Sequence, residues 1–163
     1  MTKEEQLKIY AAYFPYGLEA RVDKDTYLQP DSERIGKVTQ INLEHGNYEL
    51  VITAENGYYL CDLDQAKPIL YDLSYLTKEI EGGVFLINEI ANVISPDQSF
   101  SIIQNEDMII LDFDEEYTFH TLSVKNMMRQ PYEIIQILLK HHFNVFNLSE
   151  DQYINKATLT NKS

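Results

Sequence analysis

The chain has 163 residues, 44% apolar and 24% charged, which is enough for a core that needs no metal or disulfide to hold it. Thirteen Lys and Arg against 26 Asp and Glu give a net charge of −13, which excludes direct nucleic-acid binding through a basic surface. No apolar run approaches the roughly 18 residues of a membrane helix, and the opening residues 1–10 lack the basic and apolar regions of a signal peptide, so a cytoplasmic protein with no membrane partner is expected.

Thr2 can cap a first helix, because Glu5 stands at capping-box spacing and Leu7, Tyr10, Ala11 and Phe14 recur at helical intervals. Pro15-Tyr16-Gly17 ends it. From Leu18 the period becomes two: Leu18, Ala20 and Val22 alternate with Glu19, Arg21 and Asp23. After the polar loop Gln29–Glu33, Ile35, Lys37, Thr39 and Ile41 alternate with Gly36, Val38 and Gln40. Glu44–Asn47 has turn chemistry, and Tyr48, Leu50 and Ile52 alternate on the strand after it. Asn56-Gly57 is the strongest hairpin signal in the chain, leading into Tyr58–Leu63. Residues 18–63 are therefore expected to form an antiparallel meander or a small curled barrel.

Pro68 is expected to break that pattern. Ser74 offers an N-cap for a helix over Tyr75–Glu81, stopped by Gly82-Gly83, and a second short helix suits Val84–Ile94, with Val84, Ile87, Ala91 and Ile94 on one face and Pro96 beyond it. Phe100–Gln104 and Met108–Phe113 form a strand pair around Asn105–Asp107, and Tyr117–Leu122 offers a third strand. Pro131 introduces the clearest helix, Tyr132–Phe143, whose stripe runs through Ile134, Ile135, Leu138, Leu139 and His142. Asn147–Ser149 can cap a last short helix through Tyr153. The expected fold is α+β: one globular domain over residues 1–154, with a frayed polar tail over 155–163.

Three stretches carry a resemblance: Tyr13–Leu18 after the first helix, Lys67–Leu70 with Leu73–Ile80, and Pro131–Ile134 through Lys140–Leu148. In that order they resemble small uncharacterised phage- and prophage-associated proteins of Bacteroidetes bacteria. The resemblance implies a source and a mobile-element context and carries over no catalytic residues.

The charge excess sits in the middle of the chain: residues 41–123 hold sixteen acidic residues against Lys67 and Lys78, net −14. Its densest part is Asp112, Asp114, Glu115 and Glu116, preceded by Glu106 and Asp107. These acids read as a solvated turn, a protein-docking surface or a divalent-metal site, although no glycine supplies the sharp turn of a calcium loop. His120 with Asp112 and Asp114 is the one pairing to examine for a metal. His141 and His142 point about 100° apart on a helix and cannot chelate one ion as an i, i+4 pair could.

Nucleophilic catalysis has little to stand on. There is no nucleophile elbow, phosphate loop, dinucleotide fingerprint or H-E-x-x-H, and only six glycines in all. Cys61, the one cysteine, excludes an internal disulfide and a zinc ribbon and reads as a buried, inert thiol. Twelve tyrosines and no tryptophan suit either an interface or the edges of small β-cores. Tyr58 and Tyr59, adjacent on a strand, must face opposite sides, so one at least is expected to be exposed or covered by a helix or a partner.

These observations favour a non-enzymatic protein without a cofactor, which binds a protein with a basic surface through its acidic residues and Tyr58 and Tyr59. The sharpest form of this expectation is an inhibitor of a host nucleic-acid-handling defence complex. The alternatives are a virion or assembly component acting by self-association, and a metal-dependent hydrolase using Asp112, Asp114 and His120. Oligomeric state stays open.

Overall fold

A computed structural model describes residues 1–23, 34–44, 47–55, 57–114 and 118–160. The chain divides into two compact units, residues 1–70 with 148–163, and residues 71–147, where the sequence suggests one domain. The α+β expectation holds, and the larger sheet is open rather than a closed barrel.

In the first unit the chain begins with α1 (Lys3–Tyr13). Thr2 Oγ1 accepts the Glu5 N–H at 3.2 Å while Glu5 accepts the Thr2 N–H at 2.7 Å, the reciprocal pair that satisfies two orphan donors of a helix start. The buried face of α1 is Ile9, Tyr10 and Tyr13; Ala11 and Phe14 of the expected face are exposed. Gly17, at φ +76, ends the 3-10 turn that follows. The strands β1 (Glu19–Val22), β2 (Ile35–Glu44), β3 (Asn47–Ala54), β4 (Gly57–Asp62) and β5 (Ala66–Leu70) come next.

Two strand expectations are corrected by register. The side facing the core along β2 is Gly36 and Val38, and Thr39 bulges between the pairs Val38↔Ile52 and Gln40↔Val51. That extra residue brings Ile41, opposite Leu50, back to the side of Val38, so the set Ile35, Lys37, Thr39, Ile41 never shares a face. At the next hairpin Ala54 pairs with Gly57, so the turn closes one residue earlier than Asn56-Gly57 suggests. The loop Gln29–Glu33, the His45-Gly46 turn and Asn56 lie outside the described residues.

Pro68 does not break the pattern; it sits inside β5, opposite Ala20. The Asp23 N–H donates to the Gln65 carbonyl at 2.7 Å, and in an antiparallel ladder bonded and unbonded pairs alternate. Ala66, Pro68 and Leu70 therefore turn their backbone polar groups away from β1. The ring nitrogen of Pro68 takes no donor from that ladder.

In the second unit the expected helix over Tyr75–Glu81 is absent. Asp72, not Ser74, takes the cap by accepting the Ser74 N–H at 2.8 Å, and only a 3-10 turn forms over Leu73–Tyr75. A small hairpin follows, β6 (Glu79–Ile80) with β7 (Val84–Phe85), turned through Gly82 and Gly83 at φ +81 and +77. Next comes α2 (Leu86–Ile94), burying Leu86, Ile87, Ile90 and Ala91 and stopping two residues before Pro96. The strands β8 (Phe100–Gln104), β9 (Met108–Phe113) and β10 (Thr118–Ser123) form an antiparallel sheet in the order β10-β9-β8.

The helix α3 (Tyr132–Lys140) ends a turn earlier than its apolar stripe suggests. His142 adopts φ +58 and its carbonyl accepts the Tyr71 N–H at 2.7 Å, so it leaves the stripe and caps the chain reversal instead. Leu76, Leu86, Phe113, Leu138 and Phe143 are almost fully buried. Each such side chain contributes about 1.5–3 kcal/mol on leaving water.

Back in the first unit, Ser149–Tyr153 is a turn rather than a helix, and β11 (Ile154–Asn155) runs parallel to β5, with Ile154 opposite Ile69. The six-stranded sheet then reads β11-β5-β1-β2-β3-β4. The last element is α4 (Ala157–Thr160), in which Ala157 is buried. Residues 155–160 of the stretch expected to fray are thus structured, because the Lys156 N–H donates to the Leu70 carbonyl at 2.8 Å; residues 161–163 lie outside the described residues.

A Cβ added at Gly36 would come within 2.4 Å of the Thr53 carbonyl oxygen, a backbone atom that cannot swing aside. Gly36→Ala is expected to lower stability by about 2 kcal/mol, read as a fall in the urea midpoint at unchanged slope.

Candidate interaction surface

Of the acidic residues expected at the site, Glu106, Asp107, Asp112 and Asp114 fall on or beside the three-stranded sheet of the second unit, whose residues 71–147 carry twelve acidic and four basic side chains, net −8. Glu106 and Asp107 sit at the β8–β9 turn, and Asp112 and Asp114 at the other end of β9, all four exposed. The two ends are roughly 20 Å apart at strand rise, so they form two acidic ends rather than one cluster. Asp107 Oδ1 lies 2.7 Å from Lys125 Nζ and holds the ammonium proton more tightly than usual. Asn105 Oδ1 accepts the N–H groups of Asp107 and Met108 and so fixes the turn. Glu115 and Glu116 lie outside the described residues.

The metal reading of Asp112, Asp114 and His120 fails on alternation. His120 lies opposite Leu111, whereas Asp112 lies opposite Phe119, and successive residues of a strand point to opposite faces. His120 Nε2 instead lies 3.0 Å from Gln130 Oε1, whose amide nitrogen donates to the Thr121 carbonyl. Among the described residues no group of three His, Cys, Asp or Glu side chains could hold a metal. His141 lies 3.2 Å from Glu89 of α2.

Between the acidic ends the sheet is apolar and open. One face carries Ile103, Ile110, Met108 and Phe119 around Asp112, with Ile103 55% and Phe119 68% exposed. The edge strand β8 is exposed at every residue from Ser101 to Gln104. The Asp114 N–H donates to the Ser99 carbonyl at 3.3 Å, and the Asn105 N–H to the Met108 carbonyl at 3.0 Å. Odd-numbered residues of this strand therefore pair with β9. By the same alternation Phe100, Ile102 and Gln104 turn their backbone N–H and C=O groups toward the open edge. No strand among the described residues pairs with that edge. This feature was missed from sequence; its only signal was an uncharged run, Gln98–Asn105, bounded by acids.

Tyr58 and Tyr59 belong to the other unit, on the edge strand β4. Tyr58 is 71% exposed beside Leu60, and Tyr59 is half-buried on the side of Ile52. Of the other tyrosines, Tyr10, Tyr13, Tyr71 and Tyr153 are buried in the cores. A cavity of about 210 Å³ lies in the same unit, lined by Tyr10, Asp64, Lys67, Asp151 and Gln152 among others. It falls below the roughly 300 Å³ at which ligand pockets begin. The Tyr10 hydroxyl beside it is engaged on the Ala66 carbonyl at 2.7 Å, and Lys67 faces Asp23 at 3.7 Å.

No helix among the described residues is long and apolar enough to cross a membrane. Neither a protein-family model, nor a curated protein, nor a solved structure matches the chain.

Cys61 is buried opposite Leu50. Burial pushes its thiol up to about 11, with Asp62 and Asp64 adding to the shift, and burial also raises the Tyr10 phenol. Both groups hold their protons more tightly in the folded chain. The thiol's contribution is complete below its unfolded value of about 8.5 and is lost as pH rises toward about 11, whereas the phenol's begins to be lost only above its unfolded value of about 10. The thermal midpoint is expected to fall across that window. At neutral pH a disulfide reagent should modify Cys61 at least about 100-fold more slowly than in denaturant.

Proposed function

We propose that this chain is a non-enzymatic protein of phage or mobile-element origin that binds another protein with a basic surface. The observation that carries the reading is the sheet β8–β9–β10: exposed apolar side chains between two acidic ends, on a unit of net charge −8. Apolar contact supplies affinity there, and the acids supply steering and register toward Lys and Arg. The resemblance of three sequence stretches to phage-associated proteins of Bacteroidetes supports the origin. A partner that normally holds nucleic acid in a basic groove fits such a surface, so an inhibitor of a host nucleic-acid-handling defence complex is the sharpest form of the proposal. The alternation that separates His120 from Asp112 weighs against the metal-hydrolase alternative. Self-association in an assembly draws on the open strand edges; sedimentation that shows a concentration-independent monomer removes it.

Affinity capture of the full chain from a Bacteroidetes lysate is expected to recover a nucleic-acid-handling protein at low salt and to lose it at high salt. With that partner purified, replacing Asp112, Asp114, Glu115 and Glu116 by Lys is expected to weaken binding by at least about tenfold, or 1.4 kcal/mol. Unchanged affinity in both tests would overturn the reading.

A further inference from the structure

We propose that the open edge of β8 takes up an extended segment of the partner, flanked by Lys or Arg, as a fourth strand of the β8–β9–β10 sheet. The proposal rests on the basic-partner reading and gives it a binding mode.

Three observations carry it. First, the edge is a hydrogen-bonding template, because Phe100, Ile102 and Gln104 direct their backbone groups outward while Ser101 and Ile103 bond to β9. Second, apolar side chains flank that template on both faces of the strand. Ile103 is 55% exposed on the Asp112 face and Ile102 is 41% exposed on the other, so a strand laid alongside would cover both. Third, charge brackets the strand without entering it. Residues 98–105 contain no charged side chain. Asp97, three residues before β8, Asp112, opposite Ser101, and Asp114, bonded to Ser99, lie at one end; Glu106 and Asp107 lie at the other.

The same bracketing argues against a second copy of this chain. A self-pair that uses the outward groups centres on Ile102 and sets Phe100 against Gln104 of its mate. Counting outward places Asp97 opposite Asp107 at both ends of the ribbon, and each unit brings net charge −8. Like charges directly opposite destabilise a strand pair. An extended segment with an uncharged, β-prone middle and basic residues at both ends meets none of this repulsion and pairs with the acids instead. Strand addition of this kind takes affinity from main-chain hydrogen bonds and specificity from the alternating side chains.

The test uses the full chain and a fluorescent synthetic peptide, Val-Thr-Val-Thr-Val with two lysines at each end. Two comparison peptides carry either N-methyl groups on every central amide or glutamates in place of the lysines. Anisotropy is expected to show binding of the lysine peptide, weakened at least about tenfold by N-methylation and by the glutamates. Amide exchange is expected to slow at Phe100, Ile102 and Gln104 and to stay unchanged at Ser101 and Ile103. Ile102→Pro removes one outward donor and leaves the ladder to β9 intact, so it should weaken binding as N-methylation does; if that variant fails to fold, the N-methylated peptide decides with the natural chain.

Equal binding of the N-methylated peptide would overturn strand addition while leaving the basic-partner reading intact. Equal binding of the glutamate peptide would keep the edge and overturn the basic partner. The proposal also falls if the lysine peptide does not bind, if exchange slows at residues 57–62 of β4 instead, or if the chain forms a dimer that Ile102→Pro abolishes.

Discussion

The requirement that every buried backbone polar group find a partner organises the first unit around one strand, β5. Its Asp23–Gln65 side is satisfied by β1, and its other side is completed in three different ways. The Ala66 carbonyl accepts the Tyr10 hydroxyl of α1, Pro68 has no N–H to satisfy, and Ile69 and Leu70 lie alongside β11. Tyr10 must therefore sit on the buried face of α1, which explains why that face runs through Ile9, Tyr10 and Tyr13 rather than through Ala11 and Phe14. Residues 154–156 are drawn against the same strand for the same reason.

The edges that are not completed carry the functional argument. Natural sheets cover, charge or shorten their edges because an open one templates further pairing. Here β5 is covered, whereas β4 and β8 are open among the described residues. On β8 no residue between Gln98 and Asn105 is a charged gatekeeper; the acids stand only beyond its ends. That placement leaves the edge available while discouraging its use by an identical chain, a division of labour between backbone and charge.

Alternation decides what the acidic stretch can do. The same period-two geometry that buries Ile109, Leu111 and Phe113 of β9 points Asp112 outward and His120 of β10 to the buried side. Acid and imidazole, Asp112 and His120, stand on neighbouring strands but on opposite faces of a single layer. What remains on the outer face is a mixed apolar and acidic surface, Met108, Ile110, Ile103 and Phe119 around Asp112.

Sequence alone determined those features whose physics is local. The Thr2 capping box, the strands Phe100–Gln104 and Met108–Phe113 and the core alternation Leu18, Ala20, Val22 are fixed by neighbours within a few residues. Charge bookkeeping likewise placed the acids in the middle of the chain. Tertiary structure decided whatever depends on a remote partner: the bulge at Thr39 that returns Ile41 to the side of Val38, the tolerance of Pro68 inside β5, and the early end of α3 at Lys140, before His142 turns its carbonyl to the Tyr71 N–H. The open edge of β8 belongs to the second group, because periodicity shows which way side chains point along a strand but not whether another strand lies beside it.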